Sequence, residues 1–293
     1  MQRMNRPHPI AFFKDSLKTD AYYADEIINI YLLRPIAAGI VWLLYPTGVT
    51  PNHITIVAIL LGFAAACTYT LGTPLAIAVA GMLVMAKDIF DDADGQLARA
   101  KELYSRRGRF LDSIGDFFVD VAIFAAMTWV VAQSHPVITS VLVGIAGLLG
   151  ITLRVSYHVY YQASFLHLEN RYKLNRISEQ ITDEDRNGDQ IAYRLQQVFV
   201  LIYGWQDTLM CGIDAWCRGG HVGEAQRAQW FSDKPGLRIS GLLGFGTELT
   251  LLTVCSLFAD LHVYLMLNLF LMNGLWLAGI LYRKLLLARR LAG

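Results

Sequence analysis

The chain has 293 residues, with 25 Lys and Arg against 24 Asp and Glu and a formal net charge of +1; 55% of it is hydrophobic and 17% charged. Soluble domains are about a quarter charged, so this composition, with a mean hydropathy of +0.39, points to a membrane protein rather than one or two soluble domains. The near-neutral balance leaves no basic footprint for nucleic acid, which is not an expected partner.

Residues 1–49 begin with the polar stretch MQRMNRPHPI, which lacks the apolar core of a signal peptide. Residues 24–45 are apolar in part but carry Asp25, Glu26 and Arg34. They read as an amphipathic helix lying in the membrane interface, with a tilted extra span as the alternative.

Crossing the hydrocarbon takes about 20 mostly apolar residues. Residues 53–71 form one such run, free of charge. Residues 74–86 are apolar but short, and Lys87, Asp88, Asp91, Asp92 and Asp94 follow. Residues 110–133 start with Asp112, Asp116 and Asp120 and then turn apolar; residues 137–153 end at Arg154. Residues 164–236 form a polar insertion with an amphipathic helical stretch at 190–216, read as a lid or a surface-lying segment. Residues 239–259 are interrupted by Glu248 alone, and 263–282 end at Arg283 and Lys284. This is an all-α integral membrane protein with six expected spans and an N-terminal interfacial helix. The blocks are 1–49, 50–163 with spans one to four, 164–236, and 237–293 with the last two spans and a basic tail.

The turns 71–73, 134–136 and 260–262 contain no Lys or Arg, whereas Arg99, Lys101, Arg106, Arg107 and Arg109 lie in the next connection. The positive-inside rule therefore puts both termini and the aspartate-rich helix ends in the cytoplasm. Cys67, Cys211, Cys217 and Cys255 show no metal-ligand spacing and read as small hydrophobes.

The aspartates carry the chemistry. A charge at the centre of a membrane helix costs roughly 3 kcal/mol, so these side chains must face a wet cavity or cations. Asp91 and Asp94 are three apart, Asp112 and Asp116 four apart, and each pair shares a helix face. The short loop at 100–107 makes the two helices antiparallel neighbours, so the four carboxylates can meet at one depth. Their mutual repulsion calls for a multivalent cation, and hard oxygen ligands suit Mg²⁺, Mn²⁺ or Ca²⁺. Gly95 and Gly108 allow a ligand close to the backbone, and Arg99, one turn past Gly95, suits a phosphate. Together these describe a pyrophosphate site.

The segment reads Asp91-x2-Asp94-Gly95-x2-Ala98-Arg99-x8-Gly108-x3-Asp112-x3-Asp116. It resembles the signature of the CDP-alcohol phosphotransferase family at all eight fixed positions. The stretch PNHIT, with Asn52 and Thr55, also resembles what precedes the first span there. The likeness is good over residues 50–160, loose over the last two spans, and silent on the insertion. It implies a six-helix bundle, usually a homodimer, with the site open to the cytoplasm and one leaflet. It further implies that Asp91, Asp94 and Asp112 hold divalent metals, Mg²⁺ or Mn²⁺ and two of them. Asp116 would be the general base and possible further ligand. Gly95, Ala98, Arg99, Gly108, Asn52 and Thr55 would line the CDP pocket.

Other polar residues have blander readings. Lys87 and Arg154 sit near span ends, where snorkelling is the simple account. Arg154 is also a candidate for binding a charged acceptor, with Arg171, Lys173 and Arg238 as helpers. His158, Asn268 and Asn273 read as structural, Glu248 as a hydrogen-bonding group facing the bundle interior. Asp88 reads as solvated or paired with Lys87, or as supporting the site from one turn before Asp91, and Asp120 as either supporting the site or pairing helices. Tyr203, Trp205 and Trp216 read as interfacial anchors. The expected reaction transfers a phosphoryl-alcohol group from a CDP-alcohol, CDP-diacylglycerol for a charged acceptor, to a hydroxyl with release of CMP. The alternatives are an aminoalcohol phosphotransferase using CDP-choline or CDP-ethanolamine, a prenyltransferase-type enzyme, and a transporter.

Overall fold

The computed structural model describes residue 12 and residues 23–169, 179–219 and 223–292. Among them all regular structure is helical. The principal elements are α1 (Asn29–Leu44), α2 (Pro51–Tyr69), α3 (Pro74–Lys101), α4 (Arg106–Val131) and α5 (Val137–Leu168). The insertion contributes α6 (Asp183–Asn187) and α7 (Gln190–Arg218). Then follow α8 (Glu224–Phe231), α9 (Lys234–Gly241), α10 (Phe245–Leu257) and α11 (Leu261–Leu291).

Local chemistry sets the helix starts. Pro51 and Pro74 occupy first-turn positions, where a missing N–H costs nothing. Thr73 Oγ1 accepts from the Ala76 amide at 3.2 Å, and Ser105 Oγ accepts from the Gly108 amide at 2.9 Å. Between α3 and α4 the chain reverses within four residues, Glu102 taking a left-handed φ of 56°. That tight reversal makes α3 and α4 antiparallel neighbours.

Among the described residues, five helices are long and apolar enough to cross a membrane: α2, α4, α5, the stretch Gln226–Leu257 and α11. The helix α3, expected as a sixth span, is not among them. It has 28 residues, but Lys87 stands at its midpoint and Asp88, Asp91, Asp92 and Asp94 fall in its second half. The stretch Gln226–Leu257 is not one rod either; turns at 232–233 and 242–244 divide it. α5 runs to Leu168, well past the expected end at Arg154 and across the boundary drawn at 163. At 32 residues it is about 48 Å long, longer than a bilayer core requires.

Packing rests on missing side chains. A Cβ on Gly62 of α2 would lie 2.3 Å from Val119 Cγ1 of α4, and one on Gly115 would lie 2.2 Å from Ile59 Cδ1. Small residues at these crossings bring α2 and α4 together, as in membrane helix pairs generally. The main core gathers Tyr69, Val84, Val119, Ile123, Met127, Leu252 and Tyr264 from α2, α3, α4, α10 and α11. A smaller cluster, with Ala37, Ala38, Val41, Ala93 and Leu97, seats α1 on α3.

The acidic residues before α1 do not form a solvated face, as the amphipathic reading had it. Asp25 is buried, pairs with Arg34 at 3.0 Å and accepts from Gln162 Nε2 at 2.7 Å. Glu26 is buried too, and its Oε2 accepts from the Thr247 amide at 3.0 Å, in the first turn of α10. Carboxylates there meet unpaired N–H groups and the positive end of a helix dipole. The N-terminal segment is thereby fastened to the last third of the chain.

Candidate active site

Asp91 and Asp94 come from the second half of α3, Asp112 and Asp116 from the first half of α4. One oxygen each of Asp91, Asp112 and Asp116 lies within 4.8 Å of the others, close enough to share a cation. Oδ1 of Asp91 and Oδ1 of Asp112 are buried without a hydrogen-bond partner. Buried acceptors are normally satisfied, so these two oxygens fit a ligand that a protein side chain does not supply. Asp94 stands outside this trio: it is buried and its Oδ2 accepts from the Thr55 hydroxyl of α2.

The CDP-pocket residues fall around the same helix ends. Asn52 Oδ1 would be 2.6 Å from a Cβ on Gly108, which puts the Asn52 side chain of α2 beside the start of α4. A Cβ on Gly95 would sit 3.5 Å from Arg99 Nη1, which places the guanidinium beside the glycine one turn earlier. Arg99 and Asn52 are exposed, Ala98 half-buried.

Three site features lay beyond the sequence reading. Lys87 does not snorkel. It is buried, with Nζ 2.5 Å from Asp116 Oδ1 and 3.8 Å from Asp91 Oδ2. Its place one turn before Asp91 was the available signal. Asp88 is likewise buried rather than solvated.

The second feature is the insertion, which clasps the start of α4. Arg106 reaches Asp185 at 2.5 Å and Glu179 at 2.8 Å, Arg109 reaches Glu179 at 2.7 Å, and Arg107 takes Asp189 with two nitrogens. The third is Tyr203 of α7, which donates to the Ser113 carbonyl at 2.8 Å, beside Asp112. Its hydroxyl is thus a link to α4, whereas Trp205 and Trp216 remain exposed.

Arg154 is the residue named above as a candidate for binding a charged acceptor. It is fully buried and forms an ion pair with Glu248 at 3.0 Å, while Nη1 donates to Asn273 Oδ1 at 2.6 Å and the Asn268 carbonyl at 3.1 Å. Glu248 also accepts from Tyr264 at 3.2 Å and from Asn268. This network ties the guanidinium to α10 and α11. Of its proposed helpers, Arg238 lies over the Tyr23 ring at 5.3 Å, and Arg171 and Lys173 lie outside the described residues.

The family model for CDP-alcohol phosphatidyltransferase matches residues 48–213, more than half of the chain and all of the aspartate site. The chain belongs to the CDP-alcohol phosphatidyltransferase family. Within that family, 105 residues are 37% identical to a protein of Thermococcus kodakarensis named as a bifunctional IPC transferase and DIPP synthase, covering 36% of this chain and 23% of the relative. A protein of the same name from Archaeoglobus fulgidus is 38% identical over 77 residues, 26% of this chain and 15% of the relative. In Aquifex aeolicus a third is 35% identical over 79 residues, 27% and 17% of the two chains. The matched segments span less than a quarter of these relatives. Membership in the CDP-alcohol phosphatidyltransferase family agrees with a multi-pass membrane protein whose aspartates could hold a metal.

Proposed function

We propose that the protein transfers the phosphoryl-alcohol group of a CDP-alcohol, CDP-diacylglycerol, to a hydroxyl acceptor and releases CMP. The observation that carries this reading is the convergence of Asp91, Asp112 and Asp116, with two buried carboxylate oxygens left without partners. Divalent cations, Mg²⁺ or Mn²⁺ and two by family likeness, fit this donor set. Bound there, they would neutralise the pyrophosphate and stabilise CMP as it leaves.

The chain's own residues supply the rest. Asp91 and Asp112 would hold the metal, with Asp94 as a further ligand that the Thr55 hydroxyl orients. Asp116 takes the proton of the acceptor hydroxyl as that oxygen bonds to the alcohol-bearing phosphorus. The phosphorus–oxygen bond to CMP breaks, and CMP carries away the electron pair. Gly95, Ala98, Arg99 and Gly108 border the cytidine diphosphate, with Asn52 and Thr55 beside them.

This reading sets the helix-end site and both termini in the cytoplasm, counts α3 as a sixth span, and has the protein act as a homodimer. The blocks 50–163 and 237–293 form the bundle, 164–236 covers its cytoplasmic side, and 1–49 braces it.

The test is CMP release by the purified protein in nanodiscs. CDP-diacylglycerol, CDP-choline and the donors of the bifunctional relatives are each offered with a panel of alcohols. CDP-diacylglycerol should support release that chelation abolishes. Product from CDP-choline and diacylglycerol would favour an aminoalcohol phosphotransferase instead. CMP production indifferent to chelators would overturn the metal site. Asp116→Asn should lower turnover by about 10²–10⁴-fold while donor binding persists; full activity in that variant removes Asp116 from the chemistry.

A further inference from the structure

Lys87 is the one buried cation that contacts the carboxylate trio among the described residues. Its surroundings come from three helices: Asp91 and Asp88 on its own α3, Asp116 and Asp120 on α4, and the Phe245 ring of α10 at 5.8 Å from Nζ. Only 3% of its side chain is exposed. A lysine reaching for the membrane interface would leave its ammonium in water. This one turns inward, towards the groups on which the proposed reaction depends.

The contact is unequal. Nζ lies 2.5 Å from Asp116 Oδ1 and 3.8 Å from Asp91 Oδ2, while Oδ1 of Asp91 and Oδ1 of Asp112 lack partners. An ammonium has three donors and a compact charge. It can therefore hold one oxygen of Asp116 and leave the other towards the cluster. It also places a positive charge where a divalent ion would feel it, and like charges at such range repel strongly in a poorly solvated site.

We infer that Lys87 is a positioning residue: it grips Asp116 by one carboxylate oxygen and offsets the negative charge of the trio, trading metal affinity for a fixed orientation of the base. The inference rests on the metal-site reading above. It gives Lys87 two effects of opposite sign. Its loss should slow turnover, because Asp116 loses its orientation, and should tighten divalent binding, because an opposing charge is gone. A lysine that merely braced the fold would, when lost, weaken both.

The measurement is Mn²⁺ titration by calorimetry on purified protein, beside steady-state kinetics with CDP-diacylglycerol. Lys87→Gln keeps a hydrogen-bond donor without the charge. It should bind Mn²⁺ about tenfold more tightly and lose about 100-fold in kcat, with donor KM changed far less. Lys87→Arg keeps the charge in a wider, planar group; it should bind Mn²⁺ as the unmodified protein does and recover part of kcat. Lys87→Gln binding Mn²⁺ no more tightly than the unmodified protein overturns the inference. If Lys87→Gln does not fold, Lys87→Arg decides: unchanged Mn²⁺ affinity with lowered kcat supports it, and weakened affinity overturns it. Unmodified protein that binds no Mn²⁺ sinks the metal-site reading itself, which separates the two failures.

Discussion

At the scale of single residues, burial decides which charges act and which brace. Arg154 and Glu248 form a closed pair at 3.0 Å, with side chains 0% and 1% exposed. Removing one partner of such a pair leaves an unpaired buried charge, at a cost of about 3–5 kcal/mol. Arg154→Leu should therefore lower thermal stability by that order, and Arg154→Leu with Glu248→Leu should recover most of it. If Arg154→Leu keeps full stability and instead raises the acceptor KM, Arg154 returns to the acceptor site. Glu26 makes a pH prediction. Burial is the main reason its carboxyl is pushed up to about 7 from 4.5, Asp25 adds repulsion, and the Thr247 and Gly246 amides and Arg34 work the other way. His158 also faces it, at 4.0 Å. A raised carboxyl favours the protonated form in the fold, so its stabilisation is full below about pH 4.5 and fades as pH rises through about 7. The size is on the order of 3 kcal/mol at most. Thermal unfolding from pH 5 to 8 should show this slope, and Glu26→Gln should flatten it. An unaltered slope in Glu26→Gln would assign the pH dependence to another group.

At the scale of elements, two arrangements invite tests. The α2–α4 crossing depends on Gly62, where a Cβ would meet Val119 Cγ1 at 2.3 Å. Val119 is fully buried and short, so it has little freedom to withdraw. Gly62→Ala should cost about 1–3 kcal/mol, and Val119→Ala in the same chain should relieve much of that. Equal stability of Gly62→Ala and the unmodified protein would show that the helices part easily. The insertion is held on α4 by Glu179, Asp185 and Asp189 against Arg106, Arg107 and Arg109. Arg107 and Asp189 are exposed enough to contribute little. Glu179 and Asp185 have 4% and 2% of their side chains exposed, so they should matter more. Arg106→Ala with Arg109→Ala should raise hydrogen exchange in α6 and the first turns of α7 while Mn²⁺ binding persists. Protection that survives both changes would mean the apolar contacts, such as Phe110 on Phe199 at 5.3 Å between centroids, suffice alone.

At the scale of the whole molecule, the helix-end site and the basic connections lie together. The turn at 134–136 lies at the opposite end of α4 and α5. The proposed topology sets that turn outside and the insertion inside. Gln133→Cys in a chain cleared of other cysteines should label with an impermeant maleimide from the outside. A cysteine at Gly219 should label only after the membrane is opened. The reverse pattern would invert the orientation. The apolar periodicity made most of the helices legible, because burial in lipid demands long uncharged runs. It misplaced their ends where α5 runs on past Arg154 and where turns divide Gln226–Leu257, since helix ends depend on neighbours as well as composition.

The amino-acid sequence by itself pointed to the all-helical membrane character, the family, and a meeting of four carboxylates, of which Asp91, Asp112 and Asp116 come together while Asp94 bonds to Thr55. The membrane character and the convergence follow from local quantities, namely apolar run length, helical spacing and a loop too short for anything but an antiparallel return; the family follows from the signature that residues 91–116 resemble. Only the tertiary structure decided that Lys87 points into the carboxylates, that Arg154 is closed off by Glu248, and that the insertion fastens to α4. A buried charge is defined by its partner. These partners lie 29 residues away for Lys87, 94 for Arg154 and 73 for Arg106, counted from Asp116, Glu248 and Glu179. Spacing along one helix cannot carry such pairings, and packing of distant segments settles them.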